Sequence, residues 1–205
     1  MISVARAAGV WTVTIDRPEK ANSLTREMLE DLAGIAAAAR GEARVLILTG
    51  AGKVFSAGAD LEAAKAGLAT DPVWERLSGE IADLPCLTIA ALNGTLAGGA
   101  FGMALACDLR LAVPEAKFFY PVMKLGYLPQ PSDPGRLKAL VGPARAKLIL
   151  MAGAKLTADE ALRFGLVDAV VPLSELMPAA HALAEDARGA EAAHVAAIKG
   201  FFREA

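Results

Sequence analysis

The chain has 205 residues, 55% of them hydrophobic and 21% charged, which fits one well-packed globular domain and excludes a disordered segment. A formal net charge of −2 excludes the broad basic footprint of a nucleic-acid binder, but leaves room for a local basic pocket that takes a phosphorylated ligand. Cys86 and Cys107 are the only cysteines; without metal-site company they read as two buried thiols of a cytoplasmic protein.

The N-terminal run Val10-Trp-Thr-Val-Thr-Ile-Asp16 alternates like a strand and carries no signal-peptide pattern. Residues 24–39 read as a helix, with Met28, Leu29, Leu32, Ile35 and Ala39 at helical spacing. Residues 44–49 read as a strand whose centre, Val45-Leu-Ile-Leu48, is apolar without alternation, the mark of a strand covered on both faces. A short helix is expected from Leu61, and Asp71-Pro72 opens another that stops before Pro85.

Residues 84–107 carry no charge, a length that would reach across a bilayer. Pro85, the turn signal Asn93-Gly94 and several glycines argue instead for a buried strand at 87–92, a turn, and a helix that is apolar all round. Strands are expected at 109–113 and 117–120, helices at 135–140 and 144–152 around Gly142-Pro143, and a capping box at Thr157-Ala-Asp-Glu160. A strand at 166–171 and two alanine-rich helices, 176–187 and 191–202, complete an α/β chain with largely parallel pairing.

Two glycine-rich stretches carry the chemistry. Phe55-Ser-Ala-Gly-Ala-Asp60 and Asn93-Gly-Thr-Leu-Ala-Gly-Gly-Ala-Phe-Gly102 each follow an expected buried strand. Gly58 permits a tight turn, Asp60 can cap the next helix, and the Ala59 N–H is left to face a cleft. Gly98-Gly99 stands at a helix start, where unpaired N–H groups and the dipole favour negative charge. If the N–H groups of Ala59 and Gly99 converge, they make an oxyanion hole, in which one donor is worth on the order of 3 kcal/mol of barrier. The bland alternative is that these glycines only let helix and strand pack closely. A dinucleotide fingerprint is excluded by the spacing of Gly94, Gly98 and Gly99.

The order of motifs resembles the crotonase, or enoyl-CoA hydratase/isomerase, family along nearly the whole chain. The likeness runs through Asp16-Arg-Pro-Glu-Lys-Ala-Asn-Ser-Leu24, Leu48-Thr-Gly-Ala-Gly52, Phe55-Ser-Ala-Gly-Ala-Asp-Leu61, Ala91-Leu-Asn-Gly94, Gly98-Gly99 and Ala106-Cys-Asp108. It continues in Gly126, Pro129, Lys155-Leu-Thr-Ala-Asp-Glu-Ala161 and Gly165-Leu-Val-Asp168. The resemblance implies a single crotonase-like domain over 1–205: a spiral of ββα units to about residue 140, then a helical trimerisation region. It implies an acyl-CoA substrate, no cofactor besides the coenzyme A of that substrate, no nucleic-acid or membrane partner, and a homotrimer or hexamer. Ala59 and Gly99 become the oxyanion donors, while Lys20, Ala21, Ala57, Asp60 and Leu61 fall where the family contacts CoA. Relatives continue past the helix that ends here near Phe202, so the C-terminal region reads as shortened.

Hydratases of this family carry two glutamates that position and activate water; the corresponding positions here are Gly102 and Val122. Neither can transfer a proton, and losing one acid/base group commonly costs 10²–10⁴-fold. Gln130, Asp133, Tyr120, Tyr127, Lys124 and Glu62 lie in the relevant motifs. Asp133 reads either as a solvated carboxylate between Pro131 and Pro134 or, if the loop bends, as an acid/base. Tyr120 and Tyr127 read as packing aromatics, Lys124, His181 and His194 as surface groups.

Three functions follow from this pattern. One is an acyl-CoA enzyme that stabilises a thioester enolate by an unusual proton route, or by none, as in decarboxylation. Another is a non-catalytic CoA-binding or scaffold protein on the same fold. The third, a Clp-type serine protease with Ser56 or Ser132 as nucleophile, lacks a placed histidine.

Overall fold

A computed structural model describes residues 1–202. The chain opens with β1 (Ile2–Ala7) and β2 (Val10–Ile15), paired antiparallel. Four of the six residues of the first strand are exposed and none is buried, so its sequence lacks the apolar repeat that would mark it in advance. Thr25 caps α1 (Arg26–Ala39) by accepting from the Met28 N–H; Leu29, Leu32, Ala33 and Ala36 form its buried stripe.

Three ββ units follow. The first is β3 (Val45–Gly50) and β4 (Val54–Ser56), leading to α2 (Leu61–Lys65) and α3 (Val73–Ala82). The second is β5 (Leu87–Leu92) and β6 (Thr95–Ala97), leading through a 3₁₀ turn to α4 (Phe101–Ala106). The third is β7 (Leu109–Ala112) and β8 (Lys117–Phe119), leading to α5 (Val122–Leu125) and α6 (Asp133–Leu150). A kink divides α6 where Gly142 takes φ 78° and ψ 165°, so the two expected helices are present with Pro143 opening the second.

The first strand of each unit enters one sheet and the second enters another. The orders are β1-β2-β3-β5-β7-β10 and β4-β6-β8-β9, with β3-β5-β7 and β4-β6-β8 parallel throughout. The remaining elements are β9 (Leu156–Thr157), α7 (Ala158–Phe164), β10 (Ala169–Val170), α8 (Leu173–Gly189) and α9 (Ala192–Gly200). The Thr157–Glu160 capping box forms, whereas the strand expected over 166–171 contracts to Ala169–Val170.

Helix α3 packs against both α1 and α4, and every residue of α4 is buried. The charge-free stretch is therefore an internal strand and helix; among the described residues, no helix is long and apolar enough to cross a membrane. Two motif aspartates turn out to be struts. Asp108 Oδ2 accepts from the Thr88 N–H and hydroxyl and from Lys199 Nζ, which docks α9. Asp168 Oδ2 accepts from the Arg110 N–H at 2.7 Å, tying β10 to β7.

Candidate active site

Parallel pairing brings the two glycine stretches together. Because β4 and β6 are parallel neighbours, with Ser56 beside Leu96, the residues that leave their C-terminal ends emerge side by side. Those residues are Ala59 and Gly99. The next strand, β8, pairs with β6 through Leu96–Phe118 and Ala97–Phe119, and the residue that leaves it is Tyr120. Open carboxyl ends of parallel strands are where α/β folds place ligands.

Gly58 makes the close approach possible. Its φ is +88°, and a Cβ added there would stand 2.8 Å from Ala97 O and 3.4 Å from Gly99 N. The flanking amides are fully used. Gly58 N–H donates to Ser56 Oγ and Asp60 N–H to Leu24 O, while Gly58 O accepts from Leu24 N–H. Among the described residues, neither the Ala59 nor the Gly99 N–H donates to a carbonyl.

Ala57, Ala59, Leu61, Trp74, Gly99 and Tyr120 line one cleft of about 170 Å³, together with Val122 and Gln130. Its rim is apolar: Leu61, Leu125 and Leu128 are all exposed. Of the residues that the sequence reading assigned to ligand binding, Ala57 and Leu61 reach this cleft. Lys20, Ala21 and Asp60 do not line it. Ala21 supports it from behind, accepting from the Ala57 N–H at 3.0 Å. Asp60 accepts from Glu62 N–H and Ala63 N–H, capping α2, and pairs with Arg17 at 2.9 Å; the Arg17 bond holds its carboxyl below the usual range.

Asp133 is not a solvated loop residue. It is the first residue of α6, it is completely buried, and its Oδ2 accepts from the Tyr120 hydroxyl at 2.8 Å. Burial pushes its carboxyl up to about 7, against a pull downward from the Tyr120 bond and the Arg136 charge and a smaller push upward from Glu75. Tyr120 is buried and stacked on Phe101, with ring centroids 5.3 Å apart. It is thus the packing aromatic that the sequence implied and also the donor to a buried acid. Asp133 itself does not line the cleft; Tyr120 stands between.

Tyr127, expected to be a packing aromatic, is instead exposed on the lining of the cleft, whereas the remaining groups singled out in the sequence stay apart from it. Ser56 Oγ donates to Asn22 O inside the core, and Ser132 Oγ donates to Glu75. Lys124, His181 and His194 are exposed, and Glu62 pairs with Lys65 on the surface. Both thiols are buried and free, and burial pushes Cys107 up to about 12, far from a nucleophile's range. Among the described residues, no group of three or more His, Cys, Asp or Glu could hold a metal.

The enoyl-CoA hydratase/isomerase family model matches residues 5–205. This chain belongs to that family. Carnitinyl-CoA dehydratase of Salmonella typhi is 38% identical over 209 residues, covering 98% of this chain and 80% of the relative. The crystal structure of an enoyl-CoA hydratase from Bacillus anthracis superposes with a TM-score of 0.90 at 34% identity, over 97% of this chain and 81% of that one. An enoyl-CoA hydratase/carnithine racemase from Magnetospirillum magneticum gives 0.89 at 30%, over 98% and 79%. The spiral of ββ units followed by helices is therefore this family's crotonase fold, as the order of motifs implied.

Proposed function

We propose that this chain is an acyl-CoA enzyme that polarises a thioester carbonyl and stabilises the enolate formed from it. The observation that carries this is the pair of N–H groups, Ala59 and Gly99, at the ends of adjacent parallel strands in one cleft, neither consumed by a carbonyl among the described residues. Fixed backbone donors aimed at developing negative charge need no reorganisation as the reaction proceeds. The relatives named above act, by name, on CoA thioesters, which supports the same ligand class here.

Ordinary hydration is not the reaction. Gly102 and Val122 offer no carboxylate to activate water. Asp133 is the acid/base group of the site, and the chemistry is proton transfer at the carbon next to the thioester, or decarboxylation to the same enolate. Ala57 and Leu61 form the CoA-side edge of the cleft, with Lys20, Ala21 and Asp60 outside it, in the segments where the family contacts CoA. Coenzyme A enters as part of the substrate, and the enzyme works in the cytoplasm as a homotrimer or hexamer.

The test is a panel of enoyl-, malonyl-, hydroxyacyl- and saturated acyl-CoAs, with turnover followed by chromatography and exchange at Cα followed by NMR in D₂O. Turnover or exchange is expected with at least one of them. Binding without either outcome would favour the non-catalytic CoA-binding reading, and no binding at all would leave only a scaffold.

A further inference from the structure

We propose that Tyr120 is the catalytic proton carrier of this cleft and that Asp133 acts through it, with the carboxylate accommodated by the missing side chain at Gly102. This rests on the thioester reading above.

Three contacts carry the argument. First, Asp133 Oδ1 lies 3.0 Å, and Oδ2 3.5 Å, from the position a Cβ at residue 102 would take. A glutamate on α4 and this carboxylate cannot share that space. The acid of this site stands at the start of α6, and glycine at 102 leaves it the room. Second, Tyr120 lines the cleft while its hydroxyl donates to Asp133 Oδ2 and accepts from the Gln130 N–H at 3.5 Å, so one residue borders both the ligand space and a carboxyl outside it. Third, Asp133 Oδ1 is buried and has no hydrogen-bond partner among the described residues. A buried polar atom left this way calls for an explanation, and a catalytic role is one.

The step balances without a co-reactant. The Cα–H bond of the acyl group breaks, and its proton goes to the Tyr120 oxygen. The original Tyr120 O–H breaks at the same time, and its proton goes to Asp133 Oδ2. The electron pair left on Cα spreads to the thioester oxygen held by the Ala59 and Gly99 N–H groups. One negative charge leaves the carboxylate and one appears on the enolate; Tyr120 ends as it began. The reverse sequence protonates an enolate.

A free tyrosinate cannot serve instead. Burial and the neighbouring Asp133 carboxylate both push the Tyr120 hydroxyl up, far above neutrality. The charged and titratable groups around Asp133 are Tyr120 from the end of β8, Arg136 on its own helix and Glu75 from α3. Near neutral pH both protonation states of Asp133 are populated, as a relay requires.

The test is Cα-proton exchange of butyryl-CoA in D₂O, compared among the natural protein, Tyr120→Phe and Asp133→Asn. Tyr120→Phe keeps the ring on Phe101 and removes only the hydroxyl. Each variant is expected to lose ~100-fold or more in exchange rate while keeping its affinity for butyryl-CoA, and the double variant to be little worse than either. In the natural protein the rate should rise with pH through about 7 and then level, and Asp133→Asn should lack that rise. Infrared spectra of the ligand-free protein labelled with ¹³C-aspartate should show a carboxylic acid band that fades over the same pH range and is absent in Asp133→Asn. Exchange within a few-fold of natural in Tyr120→Phe would overturn the relay while leaving the Ala59–Gly99 reading intact. A natural protein that binds butyryl-CoA but exchanges no proton, whatever the infrared band does, would overturn the relay, and the enolate reading would then stand or fall on the malonyl- and enoyl-CoA arms of the panel above.

Discussion

Asp133 and Gly102 are complementary in space: the carboxylate oxygen Oδ1 stands 3.0 Å from where a side chain at 102 would begin. A Gly→Ala change inside a helix ordinarily stabilises by about 1 kcal/mol. Here α4 is enclosed on all sides, so the added methyl has nowhere to go except against the carboxylate. Gly102→Ala is therefore expected to destabilise by roughly 1–2 kcal/mol, the scale of a disturbed buried hydrogen bond. A urea unfolding midpoint below that of the natural protein is the predicted result; a midpoint above it would mean that Asp133 yields without loss.

The buried carboxyl also sets a pH dependence of stability. In the folded chain Asp133 keeps its proton up to about 7, whereas an unfolded aspartate releases it near 3.8. Between those values the native state binds more protons than the unfolded one, so this group's contribution is full below pH 3.8 and is lost as pH rises through about 7. The difference corresponds to roughly 4 kcal/mol. Asp133→Asn removes it. Unfolding curves from pH 4.5 to 7.5 should show the natural protein losing stability relative to the variant, and two parallel curves would refute the assignment.

Gly58→Ala tests the approach of the two glycine stretches. The position has φ +88°, and its Cβ would press on Ala97 O at 2.8 Å. Both effects are unfavourable, so the loss should exceed the 1 kcal/mol scale of an ordinary glycine effect. Because the strain lies between Ala59 and Gly99, turnover should fall more than acyl-CoA affinity. Steady-state kinetics beside calorimetry would separate the two.

Trp74 offers an optical reading of the same place. Its indole faces Gly99, where a Cβ would lie 3.2–3.3 Å from the ring, and its Nε1–H donates to Leu68 O at 2.8 Å. Trp11, the only other tryptophan, sits on β2 beneath Arg6. In a Trp11→Phe background, butyryl-CoA should change the Trp74 emission markedly and free CoA much less. Equal responses would place the acyl group elsewhere.

The sequence already held the polypeptide's local rules, and these are the parts it reveals well. The helical spacing of Met28, Leu29 and Leu32, the unbroken apolar run at 45–48 and the Thr157–Glu160 box each depend only on near neighbours. The edge strand β1 escaped because most of it faces water. Ala59 and Gly99 were legible through the glycines beside them and the likeness to a known family. Asp133 was legible only as a candidate. Its flanking prolines suggest an exposed loop, and nothing local signals that Tyr120, 13 residues earlier, donates to it across the segment that holds α5. The link between Asp133 and Gly102 depends on helices packed face to face, which no one-dimensional spacing records.

The most direct measurement is the infrared spectrum of a bound acyl-CoA carrying ¹³C at the thioester carbonyl. Two N–H donors at Ala59 and Gly99 weaken that C=O bond, so the ¹³C-shifted band should move to lower frequency on binding and return toward its free value in Gly58→Ala. A thioester that binds in the cleft with its carbonyl band unmoved from solution would contradict the oxyanion hole, and with it the account of this chain as an enolate-forming enzyme.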